Sequence, residues 1–320
     1  MKTYEEFTEM MLEKIPEYMP EEMQMYGFEL RPIPKTNGIM LDGIVMSCPD
    51  RPSEFVSPII YPAEFYRLYS EGGQPEETIL NHAAKIFRDS MGTLSKPMIS
   101  DIRDVSKWIP VIVNTEKNRE LLQHCPHRRF GKTDCSVMYK ALLTGQSFGD
   151  GIASVTNEMA EYAGVTEPEI FEMAKDNLND RIPVVVKDFE KLMETNGMPI
   201  IDLLSNEPIT ADVVLVSNYD GYYGAGMIVD SEVLEKLSER MNGNLIIIPS
   251  SIHEVLVSRE NMKESRMGIK DMETILQEIN KNEVSEKDFL SDHVFLYDRK
   301  EKTLTMPCVE KNKEKERDER

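Results

Sequence analysis

The chain has 320 residues and a mass of 36.8 kDa, with 40% hydrophobic and 29% charged residues. Its length predicts about two domains, and 17 Gly with 18 Pro is ordinary usage, which excludes collagen-like, disulfide-framework and wholly disordered chains. Acidic residues exceed basic ones, 57 against 37; a field of that sign repels phosphate backbones, so nucleic acid is disfavoured as a general partner.

Tyr4, Phe7, Met11 and Ile15 recur at helical spacing, and Pro16 and Pro20 limit that first helix. Its many glutamates, from Glu5 to Glu22, are the opposite of the basic start and apolar core of a secretory signal. Segments 28–34 and 39–46 flank Asn37-Gly38, a pair that tolerates positive φ and favours a type I′ hairpin. Pro32 and Pro34 place the first of these strands at an edge. Residues 49–58 predict a loop, and 62–70 and 75–89 two helices, the second burying Ile79, Ala83, Ile86 and Phe87 behind Pro75. A strand is expected over 108–114, a short helix over 116–123, a strand over 134–143 and a turn at Gly149-Asp150-Gly151. Thr166 with Glu169 forms a capping box opening a helix with Ile170, Phe171, Ala174 and Leu178 on its buried stripe.

The second half predicts β-β-α-β-β-α-β-β. Val213 to Ser217 and Tyr223 to Val229 make a hairpin about Asp220-Gly221. A helix capped by Asp230 or Ser231 buries Val233, Leu234, Leu237 and Met241 and stops at Asn242-Gly243. Strands 245–248 and 254–257 are broken at Pro249. A helix carries Ile269, Met272, Ile275, Leu276 and Ile279 on one face, and 293–297 with 303–306 closes a hairpin. Such hairpin-rich order predicts an α+β fold of antiparallel sheets and packed helices in two lobes, 1–200 and 201–308, with the boundary within 195–210. The tail 309–320 has five basic, five acidic and one apolar residue and is expected to be disordered. No apolar run reaches the length that spans a bilayer, and the scattered Cys48, Cys125, Cys135 and Cys308 read as reduced thiols of a cytoplasmic protein.

Two strings carry candidate chemistry. Pro249-Ser250-Ser251-Ile252-His253-Glu254 follows a buried strand. His253 could activate a serine hydroxyl with Glu254 orienting its ring, but neighbours on a strand point to opposite faces, and there is no Gly-x-Ser-x-Gly elbow. The plainer reading is that Ser and His satisfy backbone groups at a bent strand end. His124-Cys125-Pro126-His127-Arg128-Arg129-Phe130 lies in the stretch 117–132, which holds five basic residues and one acidic residue. Such a reversal can hold an anion, and Arg presents a planar fork to carboxylate or phosphate. The plainer reading pairs Arg128 and Arg129 with the chain's own carboxylates. His124, Cys125, His127 and Cys135 lack the spacing of a zinc knuckle, so no metal is expected. His82 reads as a core histidine, and His293 shows no partner. Gly221-Tyr222-Tyr223-Gly224-Ala225-Gly226 lacks a following helix and is not a dinucleotide loop.

These strings, with Asn118-Arg119-Glu120-Leu121-Leu122 and Leu290-Ser291-Asp292-His293-Val294-Phe295-Leu296-Tyr297-Asp298-Arg299, resemble an uncharacterised domain-of-unknown-function family of anaerobic Gram-positive bacteria and their mobile elements. The resemblance runs from the first helix to Met306, and Pro-Ser-Ser-Ile-His-Glu is its most specific part. It agrees with a soluble bacterial protein, carries over no active-site residue and gives no support to any cofactor. Because none of the polar clusters makes a complete catalytic set, the chain is expected to be a non-enzymatic binding or interaction protein with a local basic surface. Its expected ligand- or partner-binding residues are His127, Arg128, Arg129, Ser250, Ser251, His253 and Glu254, facing an acidic protein or an anionic small molecule. The alternatives are a hydrolase using Ser250 or Ser251 with His253, and a nucleic-acid-associated accessory factor of a mobile element.

Overall fold

Apolar alternation, prolines and turn residues place most elements where the sequence predicts them. The structure is a computed structural model that describes residues 1–47, 58–93, 103–142, 152–194, 199–260 and 268–307. The chain divides into two units, Met1–Asp104 and Val105–Arg320.

In the first unit, β1 (Gly27–Pro34) pairs antiparallel with β2 (Met40–Ser47), which pairs with β3 (Ile59–Ile60). β1 lies at the edge, where Pro32 and Pro34 forfeit no ladder bond. Asn37 and Gly38 both take positive φ, 62° and 71°. The connection is longer than a two-residue turn, however: Lys35 N–H donates to the Ile39 carbonyl at 2.8 Å inside the Pro34–Met40 pair. Helices α1 (Tyr4–Lys14), α2 (Pro62–Ser70) and α3 (Glu76–Thr93) bury Phe7, Met11, Phe65, Ile79 and Phe87 in this unit's own core. His82 is exposed rather than in the core, its ring edge-on to Phe65.

The second unit holds two antiparallel sheets over one core. In the smaller, β6 (Cys135–Leu142) lies between β4 (Trp108–Asn114) on one side and β5 (His127–Arg129) with β7 (Ile152–Ser154) on the other. Every residue of β4 and β6 is buried, because helix α6 (Glu167–Arg181) packs on the sheet and the 3-10 segment Gly224–Val229 packs against β4. Burial on both faces removes the period-two signal and explains why 134–143 is ambiguous as a sequence. Short helices α4 (Arg119–Gln123) and α5 (Asn157–Ala163) flank these strands.

The larger sheet has the order β14-β13-β11-β12-β10-β8-β9, from β8 (Val184–Asp188), β9 (Ile200–Ile201), β10 (Val213–Asn218), β11 (Leu245–Ser251), β12 (Glu254–Arg259), β13 (Phe295–Asp298) and β14 (Thr303–Thr305). The fold is α+β with antiparallel sheets, as the hairpin-rich order predicts. Four details differ from the sequence expectation. Division at 104 replaces the expected one at 195–210, since β8 pairs with β10 and a single sheet runs across that stretch. Residues 224–229 coil instead of forming a strand, because the close approaches described below require glycine. The strand is not broken at Pro249: β11 continues through a bulge, where a missing N–H costs little. Asn242, not Gly243, takes the left-handed conformation, φ 53°, that ends helix α7 (Ser231–Arg240). Asp230 caps that helix through the Glu232 N–H. At Thr166 the capping box is half formed: the Glu169 carboxylate accepts from the Thr166 N–H and hydroxyl.

Helix α8 (Ile269–Asn282) is tied to 290–293 by Asn280 Nδ2, which donates to the Ser291 carbonyl and to Asp292 Oδ1. The predicted loop 49–57, the turn at 149–151, residues 196–198, Cys48, Cys308 and the tail 309–320 lie outside the described residues. No helix among the described residues is long and apolar enough to cross a membrane.

Candidate functional site

Pro249-Ser250-Ser251-Ile252-His253-Glu254 is a hairpin turn. Ser251 pairs with Glu254, and Ile252-His253 form its tip, without a left-handed residue at either position. Between the Ile248–Leu256 and Ser251–Glu254 pairs, β11 carries two residues, Pro249 and Ser250, against one on β12, Val255. This bulge re-aims the tip. Ile252 is buried; its N–H donates to the Asp288 carbonyl at 2.8 Å, and its carbonyl accepts from the Ala225 N–H at 3.2 Å. The His253 carbonyl accepts from Ser217 Oγ at 2.8 Å.

The His253 ring closes the same junction. Nδ1 accepts the Tyr223 N–H at 3.2 Å, which puts the proton on Nε2, and Nε2 donates to Asp288 Oδ1 at 3.1 Å. Both nitrogens are thus engaged, neither by serine. Ser251 Oγ accepts the N–H of His253 at 3.0 Å, a local turn bond. Ser250 lines an apolar cavity of about 160 Å³ with Ile248, Leu256, Met272, Ile275 and Ile279, none of them a base. Glu254 begins β12 and does not orient His253; Asp288 does. The nucleophile–base bond that serine catalysis requires is not formed here.

Gly224 explains why this junction needs its sequence. A Cβ there would lie 2.2 Å from Ser217 Oγ and 2.3 Å from the His253 carbonyl oxygen. Tyr223 before it is left-handed, φ 52°, and its hydroxyl is pushed up to about 12 by burial and the nearby Asp288 charge. A bulky residue at positive φ is costly and persists only where its surroundings hold it.

The basic string divides by strand alternation. In β5, Arg128 turns towards α6 and makes a two-point bond to Glu167, Nε–Oε1 2.8 Å and Nη2–Oε2 2.9 Å. Its guanidinium lies 3.8 Å from the Phe171 ring centroid, and the Tyr139 hydroxyl donates to the same carboxylate. Burial pushes the Glu167 carboxyl up, but the hydrogen bonds from Arg128 and Tyr139 outweigh it and hold the group below its usual range. Arg128 is therefore committed inside the chain, as the plainer reading had it. His127 and Arg129 lie on the opposite face of β5 and are exposed, as is Lys132. His127 Nδ1 is 2.9 Å from the Cys125 carbonyl.

Cys125 and Cys135 are free, buried thiols, both raised by desolvation, which makes them inert in the protonated form. Among the described residues no group of three or more His, Cys, Asp or Glu side chains is placed to hold a metal. His293 has a partner after all, Glu273 at 3.1 Å, and its N–H donates to Ser291 Oγ.

Sequence reading missed the centre of the Leu290-Ser291 knot. Ser291 Oγ donates to Asp134, and Asn114 Nδ2 donates to Asp134 and to the Leu290 carbonyl. Its signal in the sequence is Asn114, a polar residue closing an apolar strand, which the fold buries. Among the described residues no hydrogen bond, ion pair or ring contact joins 124–130 to 249–254. Tyr223 is bonded to His253, and its ring lies 5.6 Å from Lys140 Nζ on β6.

No match was found among curated proteins or among solved structures. The strings described above fall within residues 4–299, which match the family of unknown function DUF5688, and the chain belongs to that family.

Proposed function

We propose that this chain is a non-enzymatic binding or interaction protein that meets an acidic protein or an anionic small molecule through the cations exposed around β5. One observation carries the reading: His127 and Arg129 face outward with Lys132 beside them, while Arg128, the only inward member, is neutralised by Glu167. In a chain of net charge −20, exposed Arg129 on the strand and exposed Lys132 three residues on form a local field of opposite sign. The hydrolase alternative finds no support in His253, whose two nitrogens serve Tyr223 and Asp288. The nucleic-acid alternative is opposed by the overall charge. We further propose a cytoplasmic setting in anaerobic Gram-positive bacteria, in part on mobile elements. The buried free thiols Cys125 and Cys135 suit a reducing compartment.

The test is anisotropy of a fluorescein-labelled poly-glutamate peptide and calorimetry with inorganic pyrophosphate. The charge reversals Arg129→Glu and Lys132→Glu together are expected to weaken binding at least tenfold with no loss of folded signal. Equal binding by the wild type and the double variant, or binding by neither, overturns the assignment. Turnover of an ester substrate that disappears in His253→Ala, in a folded protein, overturns the non-enzymatic reading.

A further inference from the structure

A second surface lies at the end of β10, in the loop Asn218–Tyr223, and it does not depend on the β5 reading. Tyr219 is 82% exposed and Tyr222 54% exposed. Tyrosine carries a large ring, and two on one short loop form an aromatic platform of the kind that anchors recognition surfaces.

The loop is held rigidly from below. Asn218 is buried; its Oδ1 accepts the Gly221 N–H at 2.8 Å and its Nδ2 donates to the Tyr222 carbonyl at 2.7 Å. Gly221 and Tyr223 both take positive φ, 70° and 52°. The Tyr222 ring stands edge-on to the His253 ring, centroids 5.7 Å apart at 88°, and His253 is itself fixed by Asp288. The Tyr222 ring is thus presented to solvent with little freedom left to lose on binding, and Tyr219 stands on the same fixed backbone.

The charges beside the rings select the partner. Asp220 sits between the two tyrosines in sequence, and the Asp288 carboxylate lies behind Tyr222 across His253. Aromatic faces beside carboxylates attract cations, through the ring quadrupole and through direct pairing, and Arg suits both. We propose that the Asn218–Tyr223 loop is a docking surface for an arginine-bearing segment of a partner protein, with Tyr219 and Tyr222 as its anchors and His253 as a positioning residue behind Tyr222.

The test uses the full chain and a fluorescein-labelled peptide of alternating Arg and Gly, with a Lys–Gly peptide of equal charge as control, at ~150 mM salt to suppress attraction to the net charge. The Tyr219→Ala/Tyr222→Ala variant leaves charge unchanged and lies on exposed rings, so its fold is expected to persist by circular dichroism and melting temperature. It is expected to lose at least tenfold in affinity for the Arg peptide, and wild type is expected to prefer Arg over Lys. Asp220→Asn is expected to weaken binding by a smaller factor. Identical binding with and without the two rings, no preference for Arg over Lys, or binding of a neutral oligosaccharide in place of the peptide overturns the proposal. Poly-glutamate binding at β5 is read separately, so failure of either surface leaves the other intact.

Discussion

The strand His127–Arg129 and the turn Ser251–Glu254 both concentrate polar side chains, yet they dispose of them in opposite ways. In the strand, alternation sends one cation inward to Glu167 and leaves its two neighbours exposed. In the turn, the polar groups of Ser251 and His253 are closed within the chain: the hydroxyl on a backbone N–H, the ring between a backbone N–H and a carboxylate. Similar clusters of reactive-looking residues therefore leave exposed charge in one place and structural closure in the other. What separates them is whether the local backbone has unpaired groups of its own that the side chains must serve.

The largest expected effect probes the closed turn. Gly224→Ala puts a methyl into space already held by Ser217 Oγ and the His253 carbonyl. The backbone must shift, and the hairpin tip, Ile252 and the Tyr223 N–H shift with it. Urea unfolding should show a loss of about 3 kcal/mol or more. A loss under about 1 kcal/mol would show that the junction is slack and that the turn's closure is not what fixes His253.

Next comes the inward cation. Arg128→Ala leaves Glu167 half-buried with only Tyr139 as donor and strips the guanidinium from Phe171, for a loss of about 1–3 kcal/mol. Because the folded carboxyl of Glu167 lies below its unfolded value, its contribution is present above the ordinary glutamate range and is lost as pH falls through the folded pKa. Wild type should therefore lose stability on acidification below about pH 4.5, and Glu167→Gln should lose less over that window, the two curves converging at low pH. Parallel curves would mean that the pair does not titrate with folding.

The two regions also mark how far the sequence could be read. Alternation and proline placement gave β1 at an edge, and apolar spacing gave α1, α2, α3 and α6 close to their ends. The α+β class followed from the number of hairpins. What failed to show were partners distant in the chain: Asp288 for His253, Glu167 for Arg128 and Ser291 for Asp134 stand 35, 39 and 157 residues away, and no local period encodes them. Residues 223–229 have the apolar content of a strand, while Gly224 and Gly226 record a close approach of backbones that only the folded chain reveals. The division at 104 escaped notice for a similar reason: composition shifts mark flexible linkers, and one sheet drawn from both sides of residue 200 leaves no such mark.

Ser251→Ala sharpens the comparison at smaller cost. It removes the acceptor of the His253 N–H and should lower stability by about 1 kcal/mol without altering any binding or turnover. A nucleophile would behave otherwise: stability would hold and activity would vanish.

The smallest effect is the most discriminating one. Arg129 shares its strand and its charge with Arg128 but faces water, so Arg129→Ala should change stability by no more than about 0.5 kcal/mol. The same substitution removes the one outward arginine of β5, and poly-glutamate affinity should fall severalfold at low salt, less at ~150 mM as screening takes over. If Arg129→Ala instead destabilises as much as Arg128→Ala, the outward face is paired within the chain as firmly as the inward one, and the strand joins the turn as scaffold.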